Sequence, residues 1–161
     1  MWQGPNGGHN RIVQSPGFVT ILHEEYRDRR IIPVDGRGQG NVRQWLGNAV
    51  GRWEGDTLVV ETTNFLDRTN YEWATIWTRA SESLRLVERF SRVSADEIEY
   101  TITVEDPKTF TRPWTAIMPI TKLPAGTQIY EYACHEGNYA LGNMLRGART
   151  DAADENPASP E

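Results

Sequence analysis

The sequence predicts an all-β protein, and three observations support that prediction. The pair Gly55-Asp56 separates two runs of aromatic and β-branched residues, 51–54 and 57–65, as in a tight hairpin. Residues 98–105 alternate apolar and polar side chains, which is typical of a strand with one buried face. Turn residues recur at short spacing without the strand–helix alternation of a parallel sheet. We therefore expect an antiparallel up-and-down, lipocalin-like barrel of about eight to nine strands, with a two-sheet β-sandwich as the alternative.

The predicted strands follow one another along the chain, separated by short turns that contain Gly or Pro. One stretch has a helical period instead, because Trp73, Ile76, Trp77 and Ala80 fall on one face of a short helix. We expect this helix to cover one end of the barrel, either as a lid over a ligand or as a structural plug. The strands are predicted at residues 11–14, 18–26, 29–34, 51–54, 57–65, 84–93, 98–105, 111–123 and 128–136.

Length, composition and charge limit the classes of partner. A chain of 161 residues is expected to form one domain, and we assign residues 1–147 to the barrel. The Ala-, Pro- and acid-rich residues 148–161 are predicted to be a disordered tail. The net charge is −5 and the basic residues form no block or stripe, so no nucleic-acid partner is expected. No apolar run reaches membrane-spanning length, so no membrane partner is expected. The sequence is compatible with a homo-oligomer.

Polar residues that share a strand face with apolar ones are the candidates for chemistry. His23 shares a strand face with Val19 and Ile21, and Glu88 lies on the face of Leu86 and Phe90. An inward carboxylate is costly to desolvate, so it is expected either to pair with Arg or His or to stay protonated with a raised pKa. The second state is that of a general acid or base. Glu131 and His135 share a face of the last predicted strand in the same way.

These residues predict a barrel cavity that binds a small apolar or aromatic molecule. In the enzyme form, which these residues favour over the two alternatives below, a lyase, isomerase or hydrolase would work by acid–base chemistry with no cofactor and no metal. The candidate catalytic residues are His135, Glu131, Glu88 and His23. The candidate ligand-binding residues are Trp73, Trp77, Tyr100, Arg89, Arg112, Phe90 and Tyr132, with an arginine as the partner of an anion.

Two alternatives to the enzyme stay open. The first is a non-catalytic carrier with the same fold, which needs no cavity group that titrates near neutrality. The second is a structural or interaction module, in which the tryptophans fill a core or an interface and no cavity exists. The cavity and the protonation states of its inner-face groups distinguish the three readings.

Several long motifs resemble those of a large family of uncharacterised, often secreted bacterial proteins. The matching stretches are RQWLGNAVGRWEGDTLVVETTNF from residue 43, LRLVERFSRV, VEDPKTFTRPWTA and IYEYACHEGNY. They are similar to the family pattern GRWEGDTLVVET, VERF, DPxxxTxPWT and EYxCxE over most of residues 11–147. The resemblance implies kinship and no particular reaction. It also implies a secreted or periplasmic location if a further N-terminal segment precedes this chain.

Overall fold

The computed structural model describes residues 8–24, 29–67, 80–131 and 139–155. Within these ranges the chain forms eight strands and one helix, which confirms the all-β class. The strands are β1 (Asn10–Ser15), β2 (Phe18–His23), β3 (Arg29–Pro33), β4 (Asn48–Glu54), β5 (Thr57–Thr63), β6 (Arg85–Arg92), β7 (Glu97–Glu105) and β8 (Trp114–Thr121), and the helix is α1 (Ala140–Glu155).

The described strands form two antiparallel sheets rather than one closed barrel. The first sheet has the order β1-β2-β3 and the second the order β4-β5-β6-β7-β8. The predicted up-and-down barrel is therefore not found, and the two-sheet alternative is. The reason lies between β3 and β4, where residues 34–47 form a loop and β3 and β4 do not pair as strands. A local meander pattern predicts each hairpin but carries no information on whether the terminal strands of the sheets meet.

The central hairpin forms as its sequence predicts. Glu54 pairs with Thr57, which leaves Gly55-Asp56 as a two-residue loop. Gly55 has a φ of 59°, the left-handed conformation that such loops require and that glycine adopts without steric cost. This turn sets the register in which β4 lies against β5, so that Trp53 lies opposite Leu58.

The two sheets pack face to face and share one hydrophobic core. Alternation along β2, β6 and β7 places every second side chain in that core, as half-buried strands require. The buried apolar members from the strands are Val19, Ile21, Ile32, Leu58, Val60, Leu86, Phe90, Tyr100, Ile102 and Val104. The face assignments predicted for His23 and Glu88 are confirmed, since both side chains are buried with their apolar neighbours.

The C-terminal part differs from the sequence prediction. Residues 128–131 are not in a strand, and the rest of the predicted last strand lies outside the described residues. The chain from Ala140 to Glu155 is helical, where a disordered tail was predicted from residue 148. The helix is rich in Ala, Leu and Arg, and their high helix propensity outweighs the Ala-, Pro- and acid-rich composition on which that prediction relied. The sheets lie in a compact unit ending at Tyr130, and α1 lies in a second unit beginning at Glu131. The helix described here is too short and too polar to span a bilayer.

Candidate functional site

A buried ion pair joins the two sheets. Arg30 of β3 places Nη1 2.9 Å from Oε1 of Glu88 and Nη2 2.5 Å from Oε2 of the same carboxylate. Nη2 of Arg30 also donates to the hydroxyl of Thr62 at 3.2 Å. The Tyr100 hydroxyl donates to Oε1 of Glu88 at 2.7 Å. Glu88 and Tyr100 are fully buried, so this cluster lies within the core and not at a surface.

The cluster holds Glu88 in its ionised form. Burial by itself raises the pKa of Glu88, but the charge of Arg30 and the hydrogen bonds from Arg30 and Tyr100 outweigh it and hold that pKa well below its ordinary value. Burial lowers the pKa of Arg30, and the facing Glu88 carboxylate more than compensates and raises it. The sequence allowed an inward carboxylate to be either paired with a basic residue or protonated. In the structure Glu88 is paired with Arg30. Neither group is poised to exchange a proton near neutral pH.

The remaining predicted residues are distributed over different parts of the molecule. His23 is buried where β1 meets β2, and its Nδ1 is hydrogen-bonded to Oδ1 of Asn10. Arg89 lies on the outer face of β6, where Nη1 is 2.9 Å from Oε2 of Glu54. The ring of Phe90 is buried, with its centroid 4.9 Å from that of Tyr100. Arg112 and Glu131 are exposed and lie outside the strands. Trp73, Trp77, Tyr132 and His135 fall outside the described residues.

The structure therefore brings together only some of the predicted residues. Glu88, Tyr100 and Phe90 are neighbours on the inner face of the second sheet. Arg89 lies on the opposite face of the same strand, because successive side chains alternate across a sheet. No group of three or more His, Cys, Asp or Glu side chains within the described ranges is arranged to hold a metal ion.

A cleft opens between the sheets beyond the ion pair. Its volume is about 570 Å³. Its apolar walls come from both sheets and consist of Ile12, Val19, Ile21, Leu58, Phe90, Ile98 and Trp53. Gln14, Asp56 and Arg92 supply polar groups to its lining. The turn of the central hairpin, Gly55-Asp56, also borders the cleft, so the stretch that predicted the fold also shapes this cavity.

The three-stranded sheet covers only part of the inner face of the five-stranded sheet. Met118 and Trp114 of β8 lie opposite Tyr100 and Val104 of β7, so they share the inner face of the sheet. Tyr100 and Val104 are fully buried, whereas Met118 and Trp114 are 37% and 41% exposed. The smaller sheet therefore covers the inner faces of β6 and β7 but leaves much of β8 uncovered. An apolar inner face that is only partly covered provides surface on which a ligand can be buried.

Comparisons of this chain with protein-family models, with curated proteins and with solved structures found no match. The resemblance to the bacterial family therefore stays an inference from the motifs.

Acid is expected to unfold the protein, because two buried carboxylates are ionised in the folded state. Burial raises the pKa of Asp106, but hydrogen bonds from the Ser81 amide and hydroxyl, the Thr109 hydroxyl and the Lys108 amide lower it overall. Asp106 and Glu88 thus both have a lower pKa folded than unfolded. Their stabilisation is complete above the unfolded values of about 4 and is lost as the pH falls through and below them.

Urea unfolding followed by tryptophan fluorescence at a series of pH values measures this dependence. The free energy of unfolding should be nearly constant around neutrality and should fall steadily once the pH drops below about 5. Asp106→Asn removes one of the two buried carboxylates and should make the free energy of unfolding fall less steeply with acid. Stability that is unchanged at strongly acid pH, or that is lost already above neutrality, would contradict the assignment of ionised carboxylates.

Proposed function

We propose that this protein binds a small apolar or aromatic molecule in the cleft between its two sheets. The observation that carries the proposal is a cavity of about 570 Å³ walled by aliphatic and aromatic side chains from both sheets. Small-molecule sites are concave and mostly apolar, with a few polar groups that fix the orientation of the ligand. The cleft has that composition, since its apolar wall is interrupted by three polar or charged residues.

Binding without turnover is the form that the ion pair favours. A general base needs a pKa near the working pH and access to the substrate. Glu88 is fully buried, is paired with Arg30 and has a lowered pKa, so it is suited to hold the sheets together rather than to accept a proton. The acid–base form of the proposal then rests on His23, Glu131 and His135. His23 is buried, Glu131 is exposed and His135 lies outside the described residues, so no described geometry supports a shared site. The cavity itself favours ligand binding over a module with a filled core.

A neutral fluorescent probe, N-phenyl-1-naphthylamine, tests the binding proposal. We expect a saturable rise in its emission with one site per chain, because the probe is weakly fluorescent in water and bright in an apolar cavity. Ile98 is half-buried on the inner face of β7 and lines the cleft, so Ile98→Trp should narrow it and weaken binding by about tenfold or more.

The matched control is Ile117→Trp on the neighbouring strand. Ile117 is 65% exposed and lies opposite Thr101, on the outer face of the sheet. This variant adds the same ring but should leave the affinity of the probe unchanged, and circular dichroism should show that both variants fold. Linear, non-saturable emission, or equal affinity for wild type and Ile98→Trp, would refute binding in the cleft.

A further inference from the structure

The inner face of β6 carries a second charged residue. Leu86, Glu88 and Phe90 alternate inward along this strand, and Arg92 is the next member of that row. It pairs with Ile98 of β7 at the end of the strand, and its side chain is exposed at the mouth of the cleft. The alternation that identifies Glu88 as inward-facing thus applies to Arg92 as well.

The two inward charges differ in how they are compensated. Glu88 is neutralised by Arg30 across the core. Arg92 makes no ion pair with any residue of the described ranges, and its guanidinium is held by main-chain carbonyls instead. Its Nε donates to the carbonyl of Ser94 at 3.0 Å and its Nη2 to the carbonyl of Ala95 at 2.8 Å. These contacts fix the orientation of the guanidinium but leave its positive charge in place.

The guanidinium keeps hydrogen-bond capacity for a ligand. Arginine has five N–H donors, and two of those of Arg92 are bound to the carbonyls of Ser94 and Ala95. The three that remain are on Nη1 and Nη2, the edge at which a carboxylate can bind through two parallel hydrogen bonds. The geometry therefore leaves this edge of the guanidinium available for an anion.

Arg92 lies where two cavities meet. Together with Ile12 and Ile98 it lines both the apolar cleft and an adjoining cavity of about 470 Å³ between β1 and the end of β8. A ligand whose apolar body lies in the cleft can therefore place its polar end at this junction. Asp56 is the other charged residue in the lining of the cleft, and its negative charge disfavours a ligand with several negative charges.

We propose that the ligand of the cleft is an apolar monocarboxylate, a fatty or aryl acid whose carboxylate pairs with Arg92. This inference rests on the proposed function and specifies its ligand class. The hydrocarbon or ring lies against Phe90, Leu58 and Ile98, and the carboxylate accepts hydrogen bonds from Nη1 and Nη2 of Arg92. Arg92 is then a specificity-determining residue, because a neutral molecule of the same shape gains only the apolar contacts.

Displacement of the neutral probe by a matched pair of competitors tests the assignment. Dodecanoate and dodecan-1-ol have the same chain and differ in the charge of the head group, and both are used below their aggregation limits at a pH where the acid is ionised. The wild type should bind dodecanoate at least about tenfold more tightly than the alcohol, the ratio expected for one charged hydrogen-bonded contact at an exposed mouth. Arg92→Gln should abolish that ratio by weakening the binding of dodecanoate to about the level of the alcohol.

Arg89→Gln is the control for the loss of one positive charge. Arg89 lies on the same strand but on its outer face, so this variant should keep the preference of the wild type for the acid. Equal competition by acid and alcohol in the wild type, or an unchanged preference in Arg92→Gln, would overturn the carboxylate assignment while probe binding still upheld the proposed function. Failure of the probe, the acid and the alcohol to bind would overturn both.

Discussion

Replacing Arg30 with methionine is expected to destabilise the protein by about 3–5 kcal/mol, the largest effect of any single side chain described here. The fully buried carboxylate of Glu88 would lose its ion pair with Arg30, and much less of its desolvation cost would then be compensated. Methionine keeps much of the volume of the arginine stem, so the loss reports the charge rather than a cavity. Urea unfolding at neutral pH, followed by circular dichroism and tryptophan fluorescence, gives the change in the free energy of unfolding.

A matched surface arginine and a double variant complete this test. Arg89→Met removes an exposed pair with Glu54 and should change stability little, because solvent screens that pair. Arg30→Met combined with Glu88→Gln removes both charges and should recover part of the loss, since a buried amide costs less than a buried ion. If Arg30→Met lowers the free energy of unfolding no more than Arg89→Met does, the two sheets are not joined by this ion pair.

Tyr100→Phe provides a milder probe of the same cluster if Arg30→Met does not fold. It removes one hydrogen bond from a hydroxyl to a buried carboxylate, for which we expect a loss of roughly 1.5–3 kcal/mol. The ring and its packing against Phe90 stay in place, so the change isolates the polar contact. An unchanged free energy of unfolding in Tyr100→Phe would mean that the Tyr100 hydroxyl does not donate to the carboxylate of Glu88.

Gly47→Ala should destabilise the protein by roughly 2–5 kcal/mol, the sum of a left-handed backbone and an overpacked contact. Gly47 has a φ of 69°, and a methyl group there would lie 2.7 Å from the carbonyl oxygen of Thr63 and 2.8 Å from Cγ2 of Thr62. It would also approach the ring of Phe65 to 2.9 Å. These atoms belong to the backbone or the packed interior, so they cannot move away cheaply. Thermal and urea unfolding measure the loss.

Gly36→Ala separates the two causes. Gly36 also has a positive φ, 83°, but a methyl group there would meet no atom within 4 Å. The backbone penalty alone applies, and we expect a loss of about 1–2 kcal/mol. Equal losses for the two variants would mean that the loop before β4 does not pack on the end of β5 as the structure has it.

Local pattern predicted the individual strands well. The alternation of Ile98, Tyr100, Ile102 and Val104 places β7 and its buried face correctly, because a period of two follows directly from strand geometry. The Gly55-Asp56 loop was predicted for an equally local reason, since the conformational tolerance of glycine shows in the residue type itself. The same alternation, continued by one step beyond Phe90, would have identified Arg92 as an inner-face residue.

The sequence predicted what type of partner an inward carboxylate could have, but not which residue that partner is. For an inward Glu88 the sequence left open a basic partner or a protonated carboxyl group, and it offers 17 lysine and arginine residues as partners. Only the packing of the first sheet on the second brings Arg30, 58 positions away in the chain, to that carboxylate. The resulting low pKa of Glu88 then disfavours the acid–base role that its position alone suggested.

The sequence by itself determined the strand class of this protein, its central hairpin and the inward position of Glu88. These properties depend on the period of side chains along a strand and on turns of two residues, which are local. The tertiary structure alone decided that the strands form two sheets, that three strands incompletely cover five, and that Arg30 compensates Glu88. Those outcomes depend on contacts between distant segments, whose free energies no local pattern of residues contains.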